Sequence, residues 1–128
     1  MGHLLGNAVR LTPCEDILVV GEGIETLLSV REAGPGLPVW AALSSSHLGA
    51  VLLPVGLQRL YIAIDRDPAG RRASDRLTTR ATEAGIAVRV LEPRLGDFND
   101  DLRAHGQKAL RQHLVEQIGP EDRQRLER

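Results

Sequence analysis

Apolar and polar positions alternate along this chain in blocks, and the blocks have two different periods. Ile17-Leu18-Val19-Val20 is a wholly apolar run closed by Gly21, the pattern of a strand buried on both faces. After Gly23, Ile24, Leu27, Leu28 and Val30 return at helical spacing, and Ala33-Gly34-Pro35-Gly36 stops that helix. Val39 to Leu43 reads as a second strand. Ser44-Ser45-Ser46 offers N-caps for a short helix through His47 to Leu53, which Pro54 and Gly56 end. Leu60 to Ile64 is a third apolar strand. Asp67-Pro68 then opens a helix with an N-cap and a proline in the first helical position, and Gly85 closes it. In that helix Ala69, Ala73, Leu77, Ala81 and Ala84 form an apolar stripe, with Arg71, Arg72, Arg76 and Arg80 largely off it. Ile86 to Leu91 is a fourth strand, Pro93 to Asn99 a loop, and a last helix is predicted from about Asp100 to Ile118, weakened by Gly106.

Strands that alternate with helices predict an α/β fold: a Rossmann-like three-layer α/β/α sandwich on a mainly parallel, four-stranded sheet. The predicted organisation is a lead-in segment at 1–14 with weak periodicity, one domain at 15–118, and a charged tail at 119–128 that frays or extends as a solvated helix. A chain of 128 residues suits one such domain and buries a core without disulfides or structural zinc.

Composition narrows the function classes. Trp40, Tyr61 and Phe98 are the only aromatic residues, too few for a surface that stacks successive bases. The formal net charge of −1 supplies no overall field for nucleic acid, so binding a polyanion requires a local basic patch or a bridging cation. The single cysteine, Cys14, excludes an internal disulfide and a cysteine zinc site, and fits a reducing cytoplasm. No segment has the length and apolarity to span a bilayer.

The candidate chemistry lies at the carboxyl ends of the predicted strands, where ligands bind in open α/β sheets. Gly21-Glu22-Gly23 follows the first strand and Asp65-Arg66-Asp67 the third. Asp97, Asp100 and Asp101 lie around the loop after the fourth. Parallel topology brings all of these to one edge. Two carboxylates about 5 Å apart repel by roughly 3 kcal/mol at an effective dielectric near 20, so such a cluster calls for a cation, a proton or an arginine. Hard oxygen donors suit Mg²⁺. Glu22, with its longer reach, serves as ligand or proton-transfer group. Its flanking glycines leave room for a phosphate, which the following helix N-terminus favours.

GEGIET after the first strand, IDRDPAG after the third and GDFNDDL after the fourth together resemble the Toprim domain, over roughly Asp16 to Ala104. That domain occurs in primases, in type IA and type II topoisomerases and in some nucleases. The resemblance is nearest to the module of phage- or plasmid-type primases and primase-helicases. It implies Glu22 as general acid or base, Asp65 and Asp67 as further catalytic positions, and Mg²⁺, with Mn²⁺ as a substitute, held by Glu22, Asp65, Asp67, Asp97 and Asp100. The implied partners are DNA (single-stranded template or primer–template), nucleotides and other domains or subunits of a primase or helicase; the implied activity is nucleotidyl transfer or phosphodiester chemistry. The chain lacks zinc-ribbon cysteines and a topoisomerase tyrosine region, so it reads as a module that works with others. The alternatives are an inactive DNA-docking relative and a nuclease module of the OLD type.

Several plainer readings stand beside these. Asp67 caps a helix, Asp65 and Glu22 suit solvated turns, and Asn99 or Asp100 suits the cap of the last helix. Ser44 to His47 suit capping more than phosphate contact. Arg71, Arg72, Arg76 and Arg80 suit a solvated face, and His3, His105 and His113 read as solvated.

Overall fold

The computed structural model describes residues 8–127. Five strands and four helices follow one another as β1 (Val9–Arg10), β2 (Ile17–Gly21), α1 (Ile24–Ala33), β3 (Val39–Ala41), α2 (Ser45–Ala50), β4 (Arg59–Ala63), α3 (Pro68–Glu83), β5 (Ala87–Leu91) and α4 (Phe98–Gln117). A 3-10 helix, Pro120–Glu127, ends the chain. The sheet order is β1-β3-β2-β4-β5. All neighbours are parallel except β1, which runs antiparallel to β3 with Val9 opposite Ala41. The expected four-stranded parallel sheet is therefore present, with a short fifth strand added from the lead-in segment. Among the described residues no helix is long and apolar enough to cross a membrane.

Successive side chains of a strand face opposite sides of the sheet, and both sides are covered. Ile17 and Val19 face the layer of α1 and α4, where Leu27, Val30, Phe98, Leu110 and Leu114 are buried. Leu18 and Val20 face the layer of α2 and α3, with Leu48, Ala73, Leu77 and Ala81. This two-sided burial explains why the central strands β2 and β4 carry apolar runs, whereas the edge strand β5 is largely exposed. The α4 axis breaks at Gly106, whose φ of 86° is the left-handed conformation that glycine adopts without steric cost.

Two segments depart from the sequence expectation. The lead-in is held by Trp40, whose indole Nε1–H donates to the Thr12 carbonyl at 3.0 Å while the Arg10 guanidinium lies 4.5 Å above its ring. The first seven positions, including His3, lie outside the described residues. The tail, read as frayed or solvated, instead packs back on the amino ends of the strands. Asp122 is fully buried, accepting from Arg59 Nε and Nη2 at 2.7 and 2.6 Å and from the Tyr61 hydroxyl at 2.5 Å. Burial raises the Asp122 carboxyl, but the bonds from Arg59 and Tyr61 outweigh it and hold the group below its ordinary value. The same environment pushes the Tyr61 hydroxyl up to about 12, burial first and the Asp122 bond second. Leu126 inserts beside Gly34, where an added Cβ would lie 2.6 Å from its Cδ2.

Candidate metal centre

β2 and β4 are the neighbouring central strands on which the first two acidic motifs converge. Gly21 pairs with Ala63, so Glu22 and the Asp65 loop leave the sheet side by side. Only glycine fits at 21: a Cβ there would meet Leu27 Cδ2 at 2.6 Å and the Ala63 carbonyl oxygen at 2.8 Å. The backbone of Glu22 is fixed from the other side, its carbonyl accepting from Leu43 N–H at 2.6 Å. Leu43 holds a φ of 81°, an unfavourable backbone for a leucine, and this turn ends β3. Across the crevice, Asp67 caps α3 by accepting from Gly70 N–H at 2.6 Å, and Pro68 fills the first turn. A Cβ on Gly70 would lie 2.8 Å from the Asp65 carbonyl oxygen, so the turn from Asp65 into α3 closes only with glycine there.

Glu22, Asp65 and Asp67 each place a carboxylate oxygen within 4.8 Å of the others. Glu22 and Asp65 are half-buried and Asp67 is exposed. Burial, and then the charge of Asp67, raises the Glu22 carboxyl above its ordinary value. Asp65 is pushed up to about 6, first by burial and then by Glu22, Asp97 and Asp67. The Thr26 hydroxyl, donating to Asp65 Oδ1 at 3.4 Å, opposes that rise. At Glu22 and Asp65 alike, burial raises the carboxyl most and neighbouring anionic charge adds to it. Opposite oxygens on a Mg²⁺ ion stand about 4.2 Å apart. The all-oxygen set is of the kind that suits a hard divalent cation.

A family model described as the Toprim domain matches residues 17–108, which span the strands and helices that carry all three acidic motifs. The chain belongs to the Toprim domain family. Solved structures agree with it in fold. A DNA primase domain from Pseudomonas aeruginosa matches at 25% identity and a TM-score of 0.56, covering 80% of this chain and 34% of that one. The zinc-binding and RNA polymerase domains of the Aquifex aeolicus primase match at 24% identity and a TM-score of 0.55, covering 80% and 26%. A chain from a bacteriophage T7 complex, lagging-strand DNA polymerase with primase domains bound to an RNA/DNA hybrid and dTTP, matches at 23% and 0.54, covering 77% and 53%. This Toprim chain thus spans between about a quarter and about a half of those chains. No curated protein matches it in sequence.

The remaining acidic residues of the Toprim domain are placed differently. Asp97 caps α4, accepting from Asp100 N–H at 2.7 Å, and its charge reaches Asp65. Asp100 is exposed in the first turn of α4. Both lie outside the close group formed by Glu22, Asp65 and Asp67. Asp101 is buried and clamps the loop after β5, accepting from Arg94 and Leu95 N–H at 2.7 Å each. Arg66, between the two aspartates, turns away to donate to the Pro93 carbonyl at 2.8 Å. His113 is half-buried rather than solvated, with Nε2 at 2.7 Å from the Glu92 carbonyl oxygen. Two contributors were not singled out from sequence. Thr26 occupies the position where a dinucleotide-binding turn has its third glycine, and that departure was the available signal. Leu43 carried none, because its strain depends on the tertiary bond to Glu22.

Proposed function

We propose that this chain is a Mg²⁺-dependent Toprim module for nucleotidyl transfer or phosphodiester chemistry on nucleic acid, within primase-type DNA replication. The observation that carries this reading is the convergence of Glu22, Asp65 and Asp67 within 4.8 Å at the carboxyl edge of the central strands. The family membership and the primase domains among the similar folds support it. A divalent ion bound here, Mg²⁺ or Mn²⁺ in its place, would supply Lewis-acid stabilisation of charge developing on a phosphoryl oxygen.

The residues of the chain would do the rest. Glu22, Asp65 and Asp67 would hold the ion, with Asp65 oriented by Thr26 and Asp67 fixed by its bond to Gly70 N–H. Asp97 and Asp100 belong to the same reading as further metal ligands. Glu22 would take or give a proton through its carboxylate, a role that suits a group whose proton affinity burial has raised. Gly23 caps α1 without a side-chain bond, which leaves first-turn amides available to a phosphate. The reading assigns single-stranded template or primer–template DNA and nucleotides as substrates, with further primase or helicase domains as partners.

The test is a pair of assays, nucleotide incorporation on a single-stranded template and strand nicking, on the intact protein that carries this module. Activity that needs Mg²⁺ or Mn²⁺, disappears in Asp65→Asn and falls by about a hundredfold or more in Glu22→Gln is expected. Activity untouched by both substitutions would refute the assignment. Metal binding with neither reaction would identify a docking module instead.

A further inference from the structure

A second cluster of charge lies on the α2–α3 face, leading away from the carboxyl edge, and the acidic centre does not use it. α2 and α3 pack side by side with their N-termini at the carboxyl ends of β3 and β4. Between them is a cleft of about 250 Å³ lined by Ser45, Ser46, Gly49, Arg72, Ala73 and Arg76. Gly49 lets α3 and the Arg76 side chain lie close against α2. A Cβ there would stand 3.2 Å from Arg76 Cδ and 3.8 Å from Ala73 Cα.

The arginines around α3 divide into two groups. Arg71 pairs with Glu92 at 2.7 Å, Arg80 donates to the Gly49 carbonyl at 2.9 Å, and Arg66 donates to the Pro93 carbonyl at 2.8 Å. Among the described residues, the side chains of Arg72 and Arg76 make neither an ion pair nor a hydrogen bond. They are one helical turn apart, where like charges repel across the helix surface. Ser45 and Ser46 face them with hydroxyls that no internal bond engages, since capping of α2 falls to Ser44, which accepts from His47 N–H at 3.1 Å. Paired guanidinium groups and free hydroxyls in one cleft form a donor set for a tetrahedral oxyanion. No aromatic ring or carboxylate lines the cleft, so it has no means of stacking a base or binding an amine.

We propose that this cleft takes a backbone phosphate of a single nucleic-acid strand whose neighbouring phosphate lies at the acidic centre. Arg72 and Arg76 are five and nine residues beyond Asp67, or about 7.5 and 13.5 Å along the helix axis. That separation places the cleft beside the acidic centre but not within it. A strand running from the edge onto the α2–α3 face would meet both, whereas a nucleotide whose phosphates are held at the acidic centre would not span them. The inference rests on the nucleic-acid reading of that centre, and its test is separable from it.

The experiment is fluorescence anisotropy of a labelled single-stranded oligonucleotide with the 128-residue chain, titrated with salt in EDTA. Each phosphate neutralised on a single strand contributes about 0.7 to the slope of log K against log salt. Arg72→Ala with Arg76→Ala, which removes the one phosphate contact proposed here, should therefore lower the slope by about 0.7. Arg72→Lys with Arg76→Lys should weaken binding but keep the slope, and Arg123→Ala, an exposed residue of the packed tail, should change neither. A wild-type chain that does not bind at low salt overturns the proposal, as does a double-alanine variant with the wild-type slope. Competition by dATP in EDTA that depends on both arginines, with oligonucleotide binding independent of them, would assign the cleft to free nucleotides and also overturn it. Mn²⁺ binding, read separately on the same variants, should be unaffected. Its loss in Asp65→Asn with Asp67→Asn alone distinguishes failure at the acidic centre from failure at the cleft.

Discussion

Asp65→Asn should make the metal-free protein more stable at neutral pH while removing its capacity to hold a cation. The native environment raises the Asp65 carboxyl from 3.8 to about 6, with burial the largest cause and the charges of Glu22, Asp97 and Asp67 following. A carboxyl with a raised native value binds its proton more tightly in the folded state. Its contribution is therefore favourable below the unfolded value and is lost as pH rises through about 4 to 6. One pKa unit corresponds to about 1.4 kcal/mol, so the full cost above pH 6 would be about 3 kcal/mol. Partial exposure to solvent screens this to roughly 1–2 kcal/mol. Asparagine keeps the shape and an acceptor for Thr26 but carries no charge. Urea unfolding in EDTA should show the variant more stable by roughly 1–2 kcal/mol at about pH 7.5, with the difference shrinking towards about pH 4. Saturating Mn²⁺ should reverse the order, since an ion at a hundred times its Kd adds about 2.7 kcal/mol to the wild type alone. A variant no more stable than wild type in EDTA, or a gain independent of pH, would refute the reasoning that crowded charge at this edge is a stored cost.

Asp122→Ala should be destabilising by about 3–5 kcal/mol in urea titrations, because it leaves the Arg59 guanidinium and the Tyr61 hydroxyl facing a buried gap. Gly21→Ala should cost about 1–3 kcal/mol, since the methyl group must displace Leu27 or the β4 backbone, and it should weaken Mn²⁺ binding by shifting Glu22. Asp67→Asn should keep the α3 cap, and thus thermal stability, while losing cation affinity; Asp67→Ala should lose the cap as well, about 1 kcal/mol less the relief of repulsion with Glu22.

Much of the domain was legible because local and global signals coincide in it. Ile17 to Val20 and Leu60 to Ile64 are buried on both faces, so their apolar runs could mean little else, and Asp67-Pro68 states a helix start in two residues. Parallel topology sent Glu22, Asp65 and Asp67 to one edge, and the adjacency of β2 and β4, which the sequence left open, is what brings them together. What escaped were features that depend on distant partners. Val9–Arg10 is too short to announce a strand and exists through Trp40. The charged tail looked solvated because nothing in it reveals that Arg59 and Tyr61, some sixty positions earlier, form a receptacle for Asp122. At Asp97 and Asp101, helix capping and loop closure use the same carboxylates that a ligand set would, and sequence cannot separate those uses.

The central claim is that Glu22, Asp65 and Asp67 form a cation site. The most direct measurement is a Mn²⁺ titration followed by electron paramagnetic resonance, on wild type and on Asp65→Asn with Asp67→Asn. Loss of the free-ion signal in the presence of wild type, absent with the folded double variant, is the predicted result. Equal binding by both proteins, or binding by neither, would contradict the assignment.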